Sequence, residues 1–205
     1  MVSTHLKCHT VQVKSSYHHG DLRGALLEEG ERALRDGGAE VFSLRDLSRA
    51  LGVSSQAPRR HFPSKQALLD EIALSGFKRL RVALDQAITD DGSFEIRLLR
   101  MSLAYVHFAT ENRALMRLMF SSKHNKDASA LLKEANLLAW SAGPRTVEEG
   151  QKAGQVIDGD PALLAMLIFA SVEGVLSLYT DQLFGLTLNE VTQKIVKSAI
   201  RGLKR

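Results

Sequence analysis

The residues with the clearest chemistry lie between Ser43 and Lys65, in the stretch SLRDLSRALGVSSQAPRRHFPSK. Ser54, Ser55, Gln56, Arg59 and Arg60 follow one another with no acid after them until Asp70. Arginine pairs bidentately with guanine edges or clamps phosphate, glutamine reads adenine, and serine serves either surface. These are the side-chain types that face a DNA groove. Ser43 and Arg45 stand just before them, and Lys65 falls in the first turn of a following helix, where backbone N–H groups already attract anions. Together the eight residues form a candidate DNA-binding set.

A second set lies in the later half. Met101, Tyr105, Phe108, Met119, Phe120, Trp140 and Phe169 are large, adaptable side chains of the kind that line ligand pockets, and they equally fill ordinary cores. Met116 and Met166 belong to the same group. His107, Arg117, His124 and Glu173 are the polar residues near it. Glu173 interrupts an otherwise apolar helix, so it needs a partner or a ligand if buried, or it sits on the exposed side. These residues are candidates for holding a small molecule.

Other chemistry finds little support. His5, Cys8, His9, His18 and His19 include zinc-ligand types, yet His5-x-x-Cys8-His9 matches no closed zinc site and a mobile tail would not preorganise one. His18-His19-Gly20-Asp21 offers an acid and a base without walls to exclude water. The chain has no phosphate-cradling glycine loop, nucleophile elbow or metal-spaced His/Glu pair. No catalytic residue, metal or cofactor is expected.

The elements that must position the first set can be read from caps and periodicity. Asp21 can cap a helix running to about Arg35, with Leu22, Leu26, Ala33 and Leu34 on one face and Gly30 allowing close approach of another helix. Ser43 and Asp46 have the form of a capping box. Leu44, Leu47 and Leu51 make one apolar stripe, with Arg45, Ser48 and Arg49 off it. Gly52 suits the left-handed conformation past a helix end, and Ser54 can cap the next helix. Helix, tight turn, helix is the arrangement that places a second helix in the major groove. Pro58 in that helix is tolerable near its first turn. Phe62 should plug this unit, and Ser64 should cap a long helix carrying Leu69, Ile72, Ala73, Leu80, Leu84 and Ile88, broken at Asp90-Asp91-Gly92-Ser93.

Beyond it the period is helical throughout. Phe94 to Thr110, Arg113 to Ser122, Leu131 to Trp140 and Arg145 to Val156 read as helices, with Gly143-Pro144 as a break or kink. Asp160-Pro161 begins an apolar helix to about Phe184, and Asn189 to Leu203 closes the chain. Leu163, Leu164, Leu167, Ile168, Val172, Val175, Leu176 and Tyr179 wrap far around the axis of the penultimate helix. They are either central in their own domain or paired with a second subunit, an interface at which Val175 would be a contact. Ala162 to Tyr179 is near membrane-span length, but Glu173, Gly174 and the missing basic flanks argue for a buried or interface helix and no membrane. At 205 residues, net charge +4 and pI about 9.3, the chain suits one or two domains and an anionic partner. Cys8 is the single cysteine, and no hydrophobic leader opens the chain, which fits a reducing cytoplasm. Residues 1 to 16, with Lys7 and Lys14 and no acid, read as a flexible basic arm.

The stretch GVSSQAPRRHFPSKQALL resembles the recognition helix and next helix start of TetR-type transcriptional regulators. YHHGDLR at 17 to 23 is similar to a subgroup that also carries Ala-Pro in the recognition helix. Arg59 stands where the family usually has a phosphate-contacting Tyr. The resemblance implies an all-α protein with a three-helix helix-turn-helix DNA-binding domain at 17–65. Residues 66–205 would be a helical effector-binding and dimerisation domain. It also implies a homodimer through the last two helices, Pro161 to Phe184 and Asn189 to Leu203, binding a double-stranded DNA operator. An unknown small-molecule effector would release it, as in a repressor. The alternative is a helical small-molecule-binding or interaction protein without sequence-specific DNA binding.

Overall fold

Asp21 opens the first helix by accepting a hydrogen bond from the Gly24 N–H at 2.8 Å, and the chain folds from there as packed helices. The computed structural model describes residues 21–88, 92–123, 129–179 and 185–205. The basic arm, His18-His19-Gly20, Asp90-Asp91, His124 and Phe184 lie outside the described residues. Helix α1 spans Leu22–Gly37 and buries Leu26, Gly30 and Leu34. A Cβ added at Gly30 would meet Ile72 Cδ1 at 3.0 Å and Leu68 Cδ2 at 3.2 Å, so the missing side chain sets the approach of α3.

Helix α2, Leu44–Ala50, starts on the capping box. Asp46 N–H donates to Ser43 Oγ, while the Ser43 N–H and hydroxyl donate to Asp46 Oδ2 at 3.0 and 2.6 Å. Those two bonds hold the Asp46 carboxyl below the usual carboxylate range. Gly52 leaves the helix with φ +66°, a left-handed conformation suited to glycine. Ser48 corrects the expected stripe: it is buried, its hydroxyl donating to the Leu44 carbonyl at 2.8 Å, which lets a small polar side chain sit inside.

The expected second helix from Ser54 is also corrected. Ser54 to Ala57 form a turn, with Ala57 N–H donating to the Ser54 carbonyl at 3.0 Å, and Pro58–Arg60 form one 3-10 turn. Proline has no N–H to give the Ser54 carbonyl the next α-helical bond, so the segment tightens instead. Phe62 follows as the expected plug, 2% exposed, with the Arg23 guanidinium 5.4 Å from its ring centre.

Helix α3, Lys65–Ala87, is capped by Ser64 and buries Leu68, Leu69, Ile72, Ala73, Gly76, Phe77, Leu80 and Leu84. Arg79 binds Glu31 of α1 through both guanidinium nitrogens at 3.0 and 3.1 Å, and Arg23 pairs with Glu71 at 2.8 Å. Its later turns pack on α4, Phe94–Glu111, α5, Arg113–Lys123, and α6, Ala130–Ala139. Helix α7, Ala142–Lys152, contains Gly143 and Pro144 in its first turn, where the proline needs no N–H partner, so the expected break falls earlier, at Trp140 and Ser141. Val156 lies outside any helix and pairs with Lys204, and Ile157 N–H donates to the Leu203 carbonyl at 2.9 Å.

Helix α8, Pro161–Leu178, packs on α4, α7 and α9, Leu188–Arg201. It ends short of the expected Phe184 because Tyr179 turns extended, at φ −69° and ψ 127°. One hydrophobic cluster runs from Leu26 to Leu203 through all nine described helices, so α1 and α9 share a continuous core. Replacing Gly30 with Leu should overpack the α1–α3 contact and lower folding stability by about 1–3 kcal/mol in a denaturant titration; unchanged stability would mean that the two helices are not in close contact.

Candidate nucleic-acid interface and internal cavity

The ends of α2 and α3 and the turn between them enclose a surface concavity of about 660 Å³. Ser43, Arg45, Ser55, Gln56, Arg59 and Lys65 of the candidate set line it, and Ser54 and Arg60 are exposed beside it. Leu44, Pro63 and Ser64 complete the lining; the first and last carry apolar and capping signals in sequence that hide this second role. Among the described residues, Arg45, Arg59 and Arg60 have no ion-pair partner, whereas Arg49 is paired with Asp46 at 3.3 Å. Two guanidinium groups free to meet an anion, those of Arg45 and Arg59, thus line one concavity. Lys65 is held in place: its Nζ lies 5.0 Å from the centre of the Phe42 ring and 3.5 Å from the Glu40 carbonyl oxygen. The Ser43 hydroxyl is already committed to Asp46 both as donor and as acceptor.

The later helices enclose a separate cavity of about 450 Å³ between α3, α4, α6, α7 and α8. Met101, Tyr105, Trp140 and Phe169 of the ligand set line it, and the last three form an aromatic cluster with ring centres 4.4 to 5.4 Å apart. Trp140 Nε1–H donates to Asn136 Oδ1 at 3.0 Å, an i, i+4 pair across the end of α6, and Asn136 lines the wall too. Sequence reasoning missed Asn136, although its spacing from Trp140 carried the signal. Small and aliphatic wall residues such as Ala165, Ile168 and Val172 carry none.

The rest of the ligand set lies off this lining, although Met119 and Phe120 meet Trp140 and Asn136 around a small adjoining hollow with Phe77 and Met116. Phe108 is buried away from this lining, and Met119 sits in the core where a Cβ at Gly76 would meet its sulfur at 2.6 Å. Phe120 and Glu173 line a second hollow of about 370 Å³ with Arg113 and Arg117. Tyr105 borders both spaces, and its hydroxyl donates to Glu173 Oε1. That bond is the partner the Glu173 carboxylate requires on a half-buried face. His107 is exposed. Burial, reinforced by the hydrogen bond and the charge of Glu173, pushes the Tyr105 phenol far above its ordinary value of 10.0.

The matching family model is that of the bacterial regulatory proteins of the tetR family, over residues 26–72. That span holds α2, the turn and the start of α3, the elements that form the concavity. The chain belongs to the TetR family. It is a DNA-binding transcriptional regulator of that family, with the all-α architecture the family shares. Among solved structures, a protein of unknown function from Rhodococcus sp. RHA1 is 37% identical, covering 94% of this chain and 100% of its own, with a TM-score of 0.86. A tetR-family regulatory protein from Rhodococcus RHA1 shares the fold at 20% identity and TM-score 0.71, covering 88% of this chain and 96% of its own. So does the TetR-family regulator PfmR of Thermus thermophilus, at 24% identity and TM-score 0.68, covering 88% and 99%. No curated protein matches the chain by sequence. TetR-family regulators bind DNA operators and form dimers.

Because the folded Tyr105 phenol keeps its proton where the unfolded one loses it, stability should fall as pH rises past 10.0. In an absorbance titration of phenolate between about pH 9 and 11, the native protein and Tyr105→Phe should gain equal signal; a larger gain in the native protein would place the phenol in water.

Proposed function

We propose that this regulator reads its operator through the concavity between α2 and α3, and that a small effector entering the internal cavity releases it from DNA. The observation that carries the reading is the gathering of Arg45, Arg59, Gln56, Ser55 and Lys65 on one surface without an acidic partner for the arginines. In this account residues 17–65 bind DNA and residues 66–205 bind effector and partner. Its site of action is the cytoplasm, where its DNA lies, and its work is binding rather than catalysis. Arg59 serves as a phosphate clamp, and Gln56 and Ser55 face base edges. The bend at Pro58 makes the reading element a turn, so base contacts come from the residues before the proline.

Two copies pair through α8 and α9. Val175 belongs to the chain's own core at 4% exposure and cannot report on that pairing. The pairing face is the outer side of α8, where Leu163, Met166, Leu167 and Leu178 are 52 to 72% exposed, joined by Ile195 of α9. Helix α8 is also long and apolar enough to cross a membrane, but its inner stripe packs on α4, α7 and α9, which favours a partner helix on the outer one.

Repression would end by a population shift. The effector must bind the DNA-incompetent spacing of the two heads better than the competent one. Helix α3 is the mechanical link, since Lys65 lies on the concavity and Leu84, about 28 Å further along at 1.5 Å per residue, lies on the cavity wall. On an operator selected from genomic fragments, Gln56→Ala should weaken specific binding by about 1–3 kcal/mol with nonspecific affinity kept. Lys65→Ala should weaken all sequences alike and reduce the salt slope by about one. Parent-like titrations for both variants at several salt concentrations would refute the surface.

A further inference from the structure

The internal cavity is open on one side, and apart from the exposed Ser141 the residues around the opening are apolar. Leu137 of α6, 72% exposed, and Met166 of α8, 60% exposed, both line the cavity, with Ala162 exposed one turn before Met166. Apolar side chains at a mouth leave water in contact with both the rim and any apolar occupant. A site for a small molecule is normally enclosed over most of the ligand's surface. This one, in a single chain, is not.

Met166 belongs to two surfaces at once. On α8, Ala162, Ala165, Met166 and Phe169 turn toward the cavity, while Leu163, Leu167, Gly174 and Leu178 follow one another at helical spacing on the outer side. Leu163 and Leu167 each stand next in sequence to a mouth residue. Whatever covers the outer stripe therefore also reaches the rim.

The stripe points to a second copy of this chain. Only Leu164, Ile168, Val172 and Val175 of α8 are buried, and its one charged residue, Glu173, is engaged by Tyr105. Leu163, Met166, Leu167, Leu178 and Ile195 together leave on the order of 500 Å² of apolar side chain in water, more than half of the ~800 Å² per partner in a standard interface. A Cβ built at Gly174 has no atom within 4 Å, so a like helix can approach closely at that point. An uncharged, self-complementary helix face is what a two-fold axis requires.

We infer that the partner's α8 closes the mouth of the cavity, so that each effector site is complete only in the dimer. The inference rests on the proposed use of this cavity and of α8. It couples the two events: an apolar ligand favours dimer over monomer, and by linkage the dimer holds the ligand more tightly.

The test uses the neutral fluorophore N-phenylnaphthylamine as probe, with the full chain. Leu178→Asp places a charge on the outer stripe about 18 Å along the helix from Met166 at 1.5 Å per residue, away from the lining. The native protein should sediment as a dimer and bind the probe. Leu178→Asp should sediment as a folded monomer and bind it about tenfold more weakly, the order expected when one face of an apolar ligand returns to water. Dilution of the native protein through its dimer dissociation should show the same loss of affinity, which keeps the test decisive if the variant does not fold. Equal affinity in dimer and monomer would overturn the inference. So would a native protein that is monomeric, or one that floats with phosphatidylcholine vesicles instead of self-associating. Ala165→Trp, which fills the cavity, separates the two levels: no binding by the native dimer, or unchanged binding by Ala165→Trp, would remove the effector cavity itself and the inference with it.

Discussion

One unbroken helix constrains everything else in this molecule. Helix α3 buries Leu68 and Ile72 against α1 at its start and Phe77, Leu80 and Leu84 among the later helices. Because close-packed side chains have few alternative arrangements, a shift at one end of such a helix is carried to the other as a rigid displacement. The Arg79 to Glu31 pair fastens α1 to the same helix. Lys65 of α3 lines the surface concavity and Leu84 the cavity wall, so the two spaces lie at opposite ends of one helix.

The second constraint is the single carboxylate in the apolar helix. Glu173 costs free energy wherever it faces hydrocarbon unless a donor satisfies it, and the Tyr105 hydroxyl does so. That bond also ties down the Tyr105 ring, which packs beside both Trp140 and Phe169 on the cavity wall. A polar requirement on α8 thereby orders an aromatic wall on α4 and α6.

Much of the frame was legible in the sequence because its signals are local. The Ser43 and Asp46 box, the Ser64 cap and the Asp160-Pro161 start all act within a few residues, and each helix begins where they stand. The residues of the concavity were legible for the same reason, since all nine that line it come from one short stretch, six of them candidates by residue type. What stayed hidden depends on the third dimension. Ser48 is buried because its hydroxyl bonds its own helix, a choice that polarity alone does not reveal. Pro58 and Pro144 carry the same residue type, yet one tightens a turn and the other sits quietly in a helix start, according to which carbonyl waits for an N–H. Helix α8 is apolar all round, so it has no period from which to read its inner side, and only the fold tells Val175 from Leu178.

The proposed pairing of two such chains can be read directly on DNA. Hydroxyl-radical footprinting of the native protein on its selected operator should show two protected patches on one face of the duplex. Their centres should be separated by one helical turn of roughly 34–36 Å or a multiple of it. A single patch, or protection with no fixed spacing, would contradict the account of a paired, groove-reading regulator.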